Sequence, residues 1–170
     1  MPRAHSTDPE AVATIGLKPV DLTILTRQVG EEWVRRSLER DIDFGLVVPD
    51  YPVMVTGDER LLSEVLSNLI DNALRYGNTG GHVTLMVEAG ERPTLSVQDD
   101  GPGIPVDERA RIFERFYRLQ NSDSDGCGLG LSIVEEIARL HNATVEVTSG
   151  ANDRGSRFTV VFGGGSRVHV

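Results

Sequence analysis

The chain has 170 residues, 39% of them hydrophobic, and a formal net charge of −9 at pH 7, enough for one domain with its own core and little for a second. Such acidity excludes the basic face of a nucleic-acid binder and an electrostatic hold on anionic lipid. It does not exclude a phosphate ligand, because a divalent cation and a few local donors set the potential at such a site. The single cysteine, Cys127, rules out an internal disulfide or a multi-cysteine zinc centre and suits a reducing cytoplasm. No apolar run reaches the ~18 residues that span a bilayer.

Residues 1–17 lack sustained periodicity and read as a linker or frayed helix end. From Val20 the pattern is regular, and Leu22, Leu25, Val29, Trp33, Val34 and Leu38 mark an amphipathic helix. Ile42–Val48 reads as a strand, Pro49–Pro52 as a turn and Val53–Val55 as a second strand. A long helix is predicted over Asp58–Tyr76, capped by Asp58 or by Thr56, which matches a capping box with Glu59. Strands follow near His82–Ala89 and Pro93–Asp99. A glycine-rich loop, a segment at Ile112–Tyr117 and a polar loop at Gln120–Gly126 lead to a helix over Leu129–His141. Strands at Thr144–Thr148 and Arg157–Phe162 complete the domain, expected over 18–162 with a tail at 163–170. Strands and helices alternate in blocks. That predicts an α+β fold, a two-layer α/β sandwich whose mixed sheet is covered on one face by helices.

The long helix carries the first chemical signal. At about 100° per residue, Leu62, Leu66, Leu69, Ile70 and Ala73 share one face. Asn68, Asp71, Asn72, Arg75 and Tyr76 gather within roughly 140° on another. Asparagine is a poor helix former because its amide competes for backbone groups. Two on one face point either to chemistry or to amides that cap neighbouring loops. For chemistry the residue types fit: an amide oxygen is a hard neutral ligand for Mg²⁺, and a guanidinium reaches phosphate oxygens. A tyrosine ring can cover a ribose or base.

The second signal is Asp99, which shares parity with Leu95 and Val97 on its strand. A carboxylate ending an apolar row needs a donor, and the exocyclic amine of adenine is one. Gly101 and Gly103 follow and would admit a flat ring close to backbone. The same run also suits a structural aspartate in a turn. The third signal is Gly126-Cys127-Gly128-Leu129-Gly130-Leu131 before a helix, either a phosphate cradle or a flexible linker. It is neither a Walker loop nor a dinucleotide fingerprint. In order, N-x-x-x-N, D-x-G-x-G and G-x-G-L-G-L are far more specific than any one alone.

Together these residues resemble the GHKL ATPases, the group of gyrase, a heat-shock chaperone, histidine kinases and mismatch-repair ATPases, and within it the two-component sensor histidine kinases. Residues Asn68–Tyr76 resemble the N box and Asp99–Ile104 the first glycine box. Arg111–Tyr117, with Phe113, Arg115 and Phe116, resemble the F box. Gly126–Leu131 resemble the second glycine box, and Gly155–Phe158 the closing strand element. The resemblance implies that Asn72 ligates Mg²⁺, Asn68 sits near the α/β-phosphates, Arg75 meets phosphate and Tyr76 the nucleotide. It implies that Asp99 reads the adenine amine with Gly101, Gly103 and Ile104 against the base. It further implies that Arg115, Gly126, Gly128, Leu129, Gly130 and Leu131 belong to the nucleotide site and that Phe113 and Phe116 anchor its lid. Asp71 stands where many members have Glu, and the resemblance implies that either it or an acidic residue beside the acceptor histidine orients the attacking group. Cys127 stands where Ser or Thr is more common.

An acceptor histidine should be followed by an acidic residue, a hydrophobe, a basic residue and Ser/Thr-Pro. None of the four histidines, His5, His82, His141 and His169, has that context. The resemblance therefore implies an ATP–Mg²⁺-binding catalytic part that does not phosphorylate itself. Its γ-phosphoryl would pass to a histidine on a separate dimerisation domain of the same kinase, and on to a response regulator. The fragment is expected to be a monomeric cytoplasmic piece, without membrane contact, of a homodimeric membrane-bound bacterial sensor. The alternatives are a GHKL serine kinase of anti-sigma-factor type, or an ATP-binding module used only for docking.

Overall fold

A computed structural model of the chain describes residues 16–76, 81–114 and 130–163. It opens on a short strand, β1 (Lys18–Asp21), where the sequence reads as the approach to a helix. Four residues with one buried side chain, Val20, are too few to show a period. Asp21 then caps α1 (Leu22–Ser37), accepting from Thr23 N at 2.9 Å, and also accepts from Val53 N at 3.2 Å. Leu22, Leu25, Val29 and Trp33 are buried as the stripe predicts. Val34 and Leu38 are 39% and 71% exposed. Val34 lies one step around the helix from Trp33, and Leu38 lies beyond its end, in a 3₁₀ turn at Leu38–Arg40.

After β2 (Asp43–Val47), β3 (Met54–Gly57) pairs antiparallel with β1 as a two-stranded ribbon, an addition to the expected fold. α2 (Glu59–Tyr76) starts at Asp58, whose carboxylate accepts from Arg60 N and Leu61 N at 3.0 and 3.3 Å. Thr56 is occupied in β3, so Asp58 is the cap and the Thr56–Glu59 box is not used. Its core face comprises Leu62, Val65, Leu66, Leu69, Ile70 and Ala73, all buried.

The main sheet is built from β2, β4 (His82–Glu88), β5 (Thr94–Asp99), β6 (Ala143–Ser149) and β7 (Ser156–Phe162). Their order is β2-β4-β5-β7-β6, with β2 parallel to β4 and every other pair antiparallel. Register aligns the apolar rows: Leu85 lies opposite Val97, Val87 opposite Leu95, and Leu95 in turn opposite Val160. These rows join the buried faces of α1, α2 and α3 (Gly130–Leu140) in one core. The other face holds Thr84, Gln98 and the pair Ser96–Thr159, hydroxyl to hydroxyl at 3.1 Å. Helices on one face of a mixed sheet make the two-layer sandwich that the sequence predicts.

His141, just past α3, is buried rather than merely placed at a helix end. Its Nδ1 lies 2.8 Å from Ile137 O, and its Nε2 accepts from Asp58 N at 3.0 Å. One imidazole thus joins the end of α3 to the start of α2. Among the described residues no helix is long and apolar enough to cross a membrane.

Candidate functional site

Asp99 is the last residue of β5, and it follows Leu95 and Val97 on the core face. Its side chain is buried, 6% exposed, so its charge needs partners. Oδ1 accepts from Gly101 N at 2.8 Å and Oδ2 from Ser156 Oγ at 3.0 Å. Burial pushes the carboxyl above its ordinary value against the pull of those two hydrogen bonds and of a third from Ser156 N. An ionised carboxylate has about four acceptor positions, so these three donors leave capacity for one more. Ser156 had no role in the sequence reading. Its signal was a hydroxyl opening the otherwise apolar inward row Phe158, Val160, Phe162.

Glycine is required where two chain segments meet beside Asp99. Gly155 has φ 71°, and a Cβ there would collide with Asp99 O and lie 2.7 Å from Asp100 Cα. Gly103 has φ 82°, and its Cβ would sit 2.9 Å from Gly155 O. Backbone packing between the two loops therefore explains Gly103, whether or not a ring approaches it. Gly101 and Ile104 are buried. Arg109 fastens the loop, donating to Ile104 O and to Ser149 Oγ, each at 3.1 Å.

On α2 the predicted polar arc is real. Asn68, Asp71 and Asn72 are half-buried, and Arg75 is exposed. Arg75 Nε donates to Asp71 Oδ2 at 2.9 Å, so each of these two charges already engages the other. Tyr76 is the last residue of the helix. Asn68 Oδ1 would lie 3.6 Å from a Cβ on Gly130, so the amide abuts the first residue of α3. Leu131, one residue on, packs on the core. Phe113 meets Phe158 edge to face, with centroids 6.3 Å apart. Arg115, Phe116, Tyr117, Gly126, Cys127, Gly128 and Leu129 lie outside the described residues.

These groups suit a nucleotide with Mg²⁺: neutral amide oxygens beside a helix N-terminus, and a buried carboxylate with spare acceptor capacity. Among the described residues no cluster of three or more His, Cys, Asp or Glu could hold a metal. A cation here would depend on amide and ligand oxygens.

Residues 57–164 match the family described as histidine kinase-, DNA gyrase B- and HSP90-like ATPase. The chain is 37% identical over 139 residues to the sensor protein kinase PmrB of Pseudomonas aeruginosa, covering 81% of this chain and 29% of that one. The curated relatives it matches are longer proteins, of which it spans between 18% and 36%. Among solved structures, the mycobacterial sensor histidine kinase MprB superposes with a TM-score of 0.75 at 32% identity, covering 86% of this chain and 97% of that chain. Full-length ShkA, solved in complex with AMPPNP, superposes with a TM-score of 0.76 at 35% identity, covering 87% of this chain and 31% of that one. Sequence and fold thus agree: the chain belongs to the histidine kinase-, DNA gyrase B- and HSP90-like ATPase family, as a catalytic ATPase domain of the sensor histidine kinase kind.

Proposed function

We propose that this domain, over residues 18–162, binds ATP with Mg²⁺ and presents the γ-phosphoryl group to a histidine on a separate dimerisation domain. The buried Asp99 carboxylate, fixed by Gly101 N and Ser156 Oγ, carries the reading. A carboxylate buried at such expense, with acceptor capacity left over, suits the adenine amine. The AMPPNP bound by ShkA, a relative of the same fold, supports it.

In this reading Asn72 would hold Mg²⁺, which would supply positive charge to neutralise the phosphates. Asn68, beside Gly130, orients the α/β-phosphates at the N-terminus of α3. Arg75 exchanges its bond to Asp71 for phosphate, leaving the Asp71 carboxylate free to orient the attacking imidazole. Gly101, Gly103 and Ile104 line the base, Tyr76 covers the nucleotide, and Arg115, Gly126, Gly128, Leu129 and Leu131 complete the cradle. The whole protein is a homodimeric, membrane-bound bacterial sensor that passes the phosphate to a response regulator, with this domain in the cytoplasm.

Calorimetric titration with ATP and Mg²⁺ tests the first half. Binding should be lost or weakened at least about tenfold in Asn72→Ala and Asp99→Ala, the range for hydrogen bonds to charged groups. No binding by the native chain at millimolar nucleotide sinks the reading. For the second half, labelled ATP should leave no phosphohistidine on this chain alone and should label an added dimerisation domain. Labelling of a serine substrate instead would favour the anti-sigma-factor type.

A further inference from the structure

The loop that carries Asp99 is held from its other side by a histidine that the nucleotide reading leaves without a role. His82 opens β4 in register beside Asp43 of β2. It grips Asp100, the residue after Asp99, twice. Its backbone N–H donates to Asp100 Oδ1 at 2.9 Å, and its ring Nδ1 lies 3.0 Å from Asp100 Oδ2. The remaining ring nitrogen, Nε2, lies 3.5 Å from Asp43 Oδ2. The His82 backbone hydrogen bond, chief among several causes, holds the Asp100 carboxyl below the usual carboxylate range. On the opposite side Gly155 closes against the backbone of Asp99 and Asp100. The start of the turn is therefore clamped between β4 and the segment that leads into β7.

We propose that His82 is a positioning residue for nucleotide binding: acting through Asp100, it sets the orientation of the Asp99–Gly101 turn, and protonation of its imidazole tightens that hold. The inference rests on the nucleotide reading of Asp99. A neutral imidazole has one N–H and serves one carboxylate; an imidazolium has two and bridges Asp43 and Asp100 together. Arg154, which lines a recess of about 240 Å³ with His82, Asp100 and Asn152, opposes the positive charge. Two carboxylates in contact outweigh it. The imidazole is 63% exposed and Asp100 37%, so solvent screens the pair. The expected effect on affinity is about two- to fivefold, the range of exposed ion pairs.

The test is calorimetric titration of the whole chain with ATP–Mg²⁺ at about pH 6 and about pH 8. His82→Asn places an amide where Nδ1 stands, so it keeps the Asp100 contact but cannot titrate. His82→Ala loses the contact. Dividing each affinity by that of His82→Asn cancels titration of the nucleotide itself. The native chain should tighten about two- to fivefold on this scale between pH 8 and pH 6. His82→Ala should bind more weakly than His82→Asn at both. His82→Ala with native affinity and a native pH profile would overturn the proposal. If that variant does not fold, a His82→Asn profile parallel to the native one overturns it instead. Failure of the native chain to bind at either pH would reject the nucleotide reading, a separate outcome.

Discussion

Asp99 shows how one side chain can oppose the fold and serve the site. Its carboxyl is held above the ordinary carboxylate value by burial, so the folded state disfavours the charge that a ligand donor would want. The sign follows from linkage. A raised folded pKa means that ionised Asp99 costs stability once pH exceeds that value, and the cost vanishes below the unfolded value of 3.8. Asn at this position still offers an oxygen to Gly101 N, and Ser156 Oγ can accept from its amide. Asp99→Asn should therefore melt at or above the native temperature at pH 7 while losing about tenfold or more in nucleotide affinity. Parallel thermal melts and calorimetry check both halves, and a large fall in Tm would contradict the account. Gly155 and Ser156 make this possible: the first lets the backbone come close, the second supplies the inward hydroxyl.

At the level of elements, the helical layer is held by more than its apolar stripes. His141 accepts from Asp58 N and donates from Nδ1 to Ile137 O, so it ties α3 to the start of α2 from within the core. Its ring also fills the space beside Gly57, where a Cβ would lie 2.8 Å from His141 Cδ2. His141→Ala would leave a buried N–H unsatisfied and a void beside it. The expected loss is about 2–4 kcal/mol, read as a lower urea midpoint with an unchanged slope. Trp33 is a convenient reporter of that transition, since it is the only tryptophan, is buried, and donates from Nε1 to Ser67 Oγ on α2 at 3.2 Å.

For the molecule as a whole, Asp58 is where the ribbon end, the long helix and His141 converge. Besides capping α2, its carboxylate accepts from Gly16 N at 3.1 Å. Burial works against its charge, but hydrogen bonds from Leu61, Gly16 and Arg60 outweigh it and hold its carboxyl below the ordinary value of 3.8. A depressed folded pKa adds stability that is present above 3.8 and lost as pH falls through the folded value. Acid should therefore loosen the native chain more steeply than Asp58→Asn, which retains a capping oxygen without a titrating charge. Urea midpoints from about pH 5 down to about pH 2 measure the difference, since linkage confines it to that window. Parallel curves would refute the assignment.

Periodicity alone revealed most of the fold. The stripes of α1 and α2 and the alternation in β4, β5 and β7 are local patterns, and burial follows them except at Val34, which is exposed, and Ser96, which is buried on the other face of the sheet. Of the ribbon, β3 was legible as the short strand expected at Val53–Val55, whereas β1 and the pairing were hidden, because four residues show no period and the partner defines the strand. The choice between Thr56 and Asp58 as cap likewise waited on where β3 ends. Within the site, the asparagine arc on α2 and the parity of Asp99 were legible, because helix and strand geometry fix which residues share a face. Three features depended on contacts distant in sequence. Ser156 reaches Asp99 across 57 positions, His141 reaches Asp58 across 83, and His82 reaches Asp100 across 18. Only packing brings such pairs together, and the partner, not the residue type, decides whether a hydroxyl or an imidazole positions a site or merely decorates a surface. The sequence by itself therefore determined which residues could do the chemistry, and the tertiary structure decided which others hold them in place.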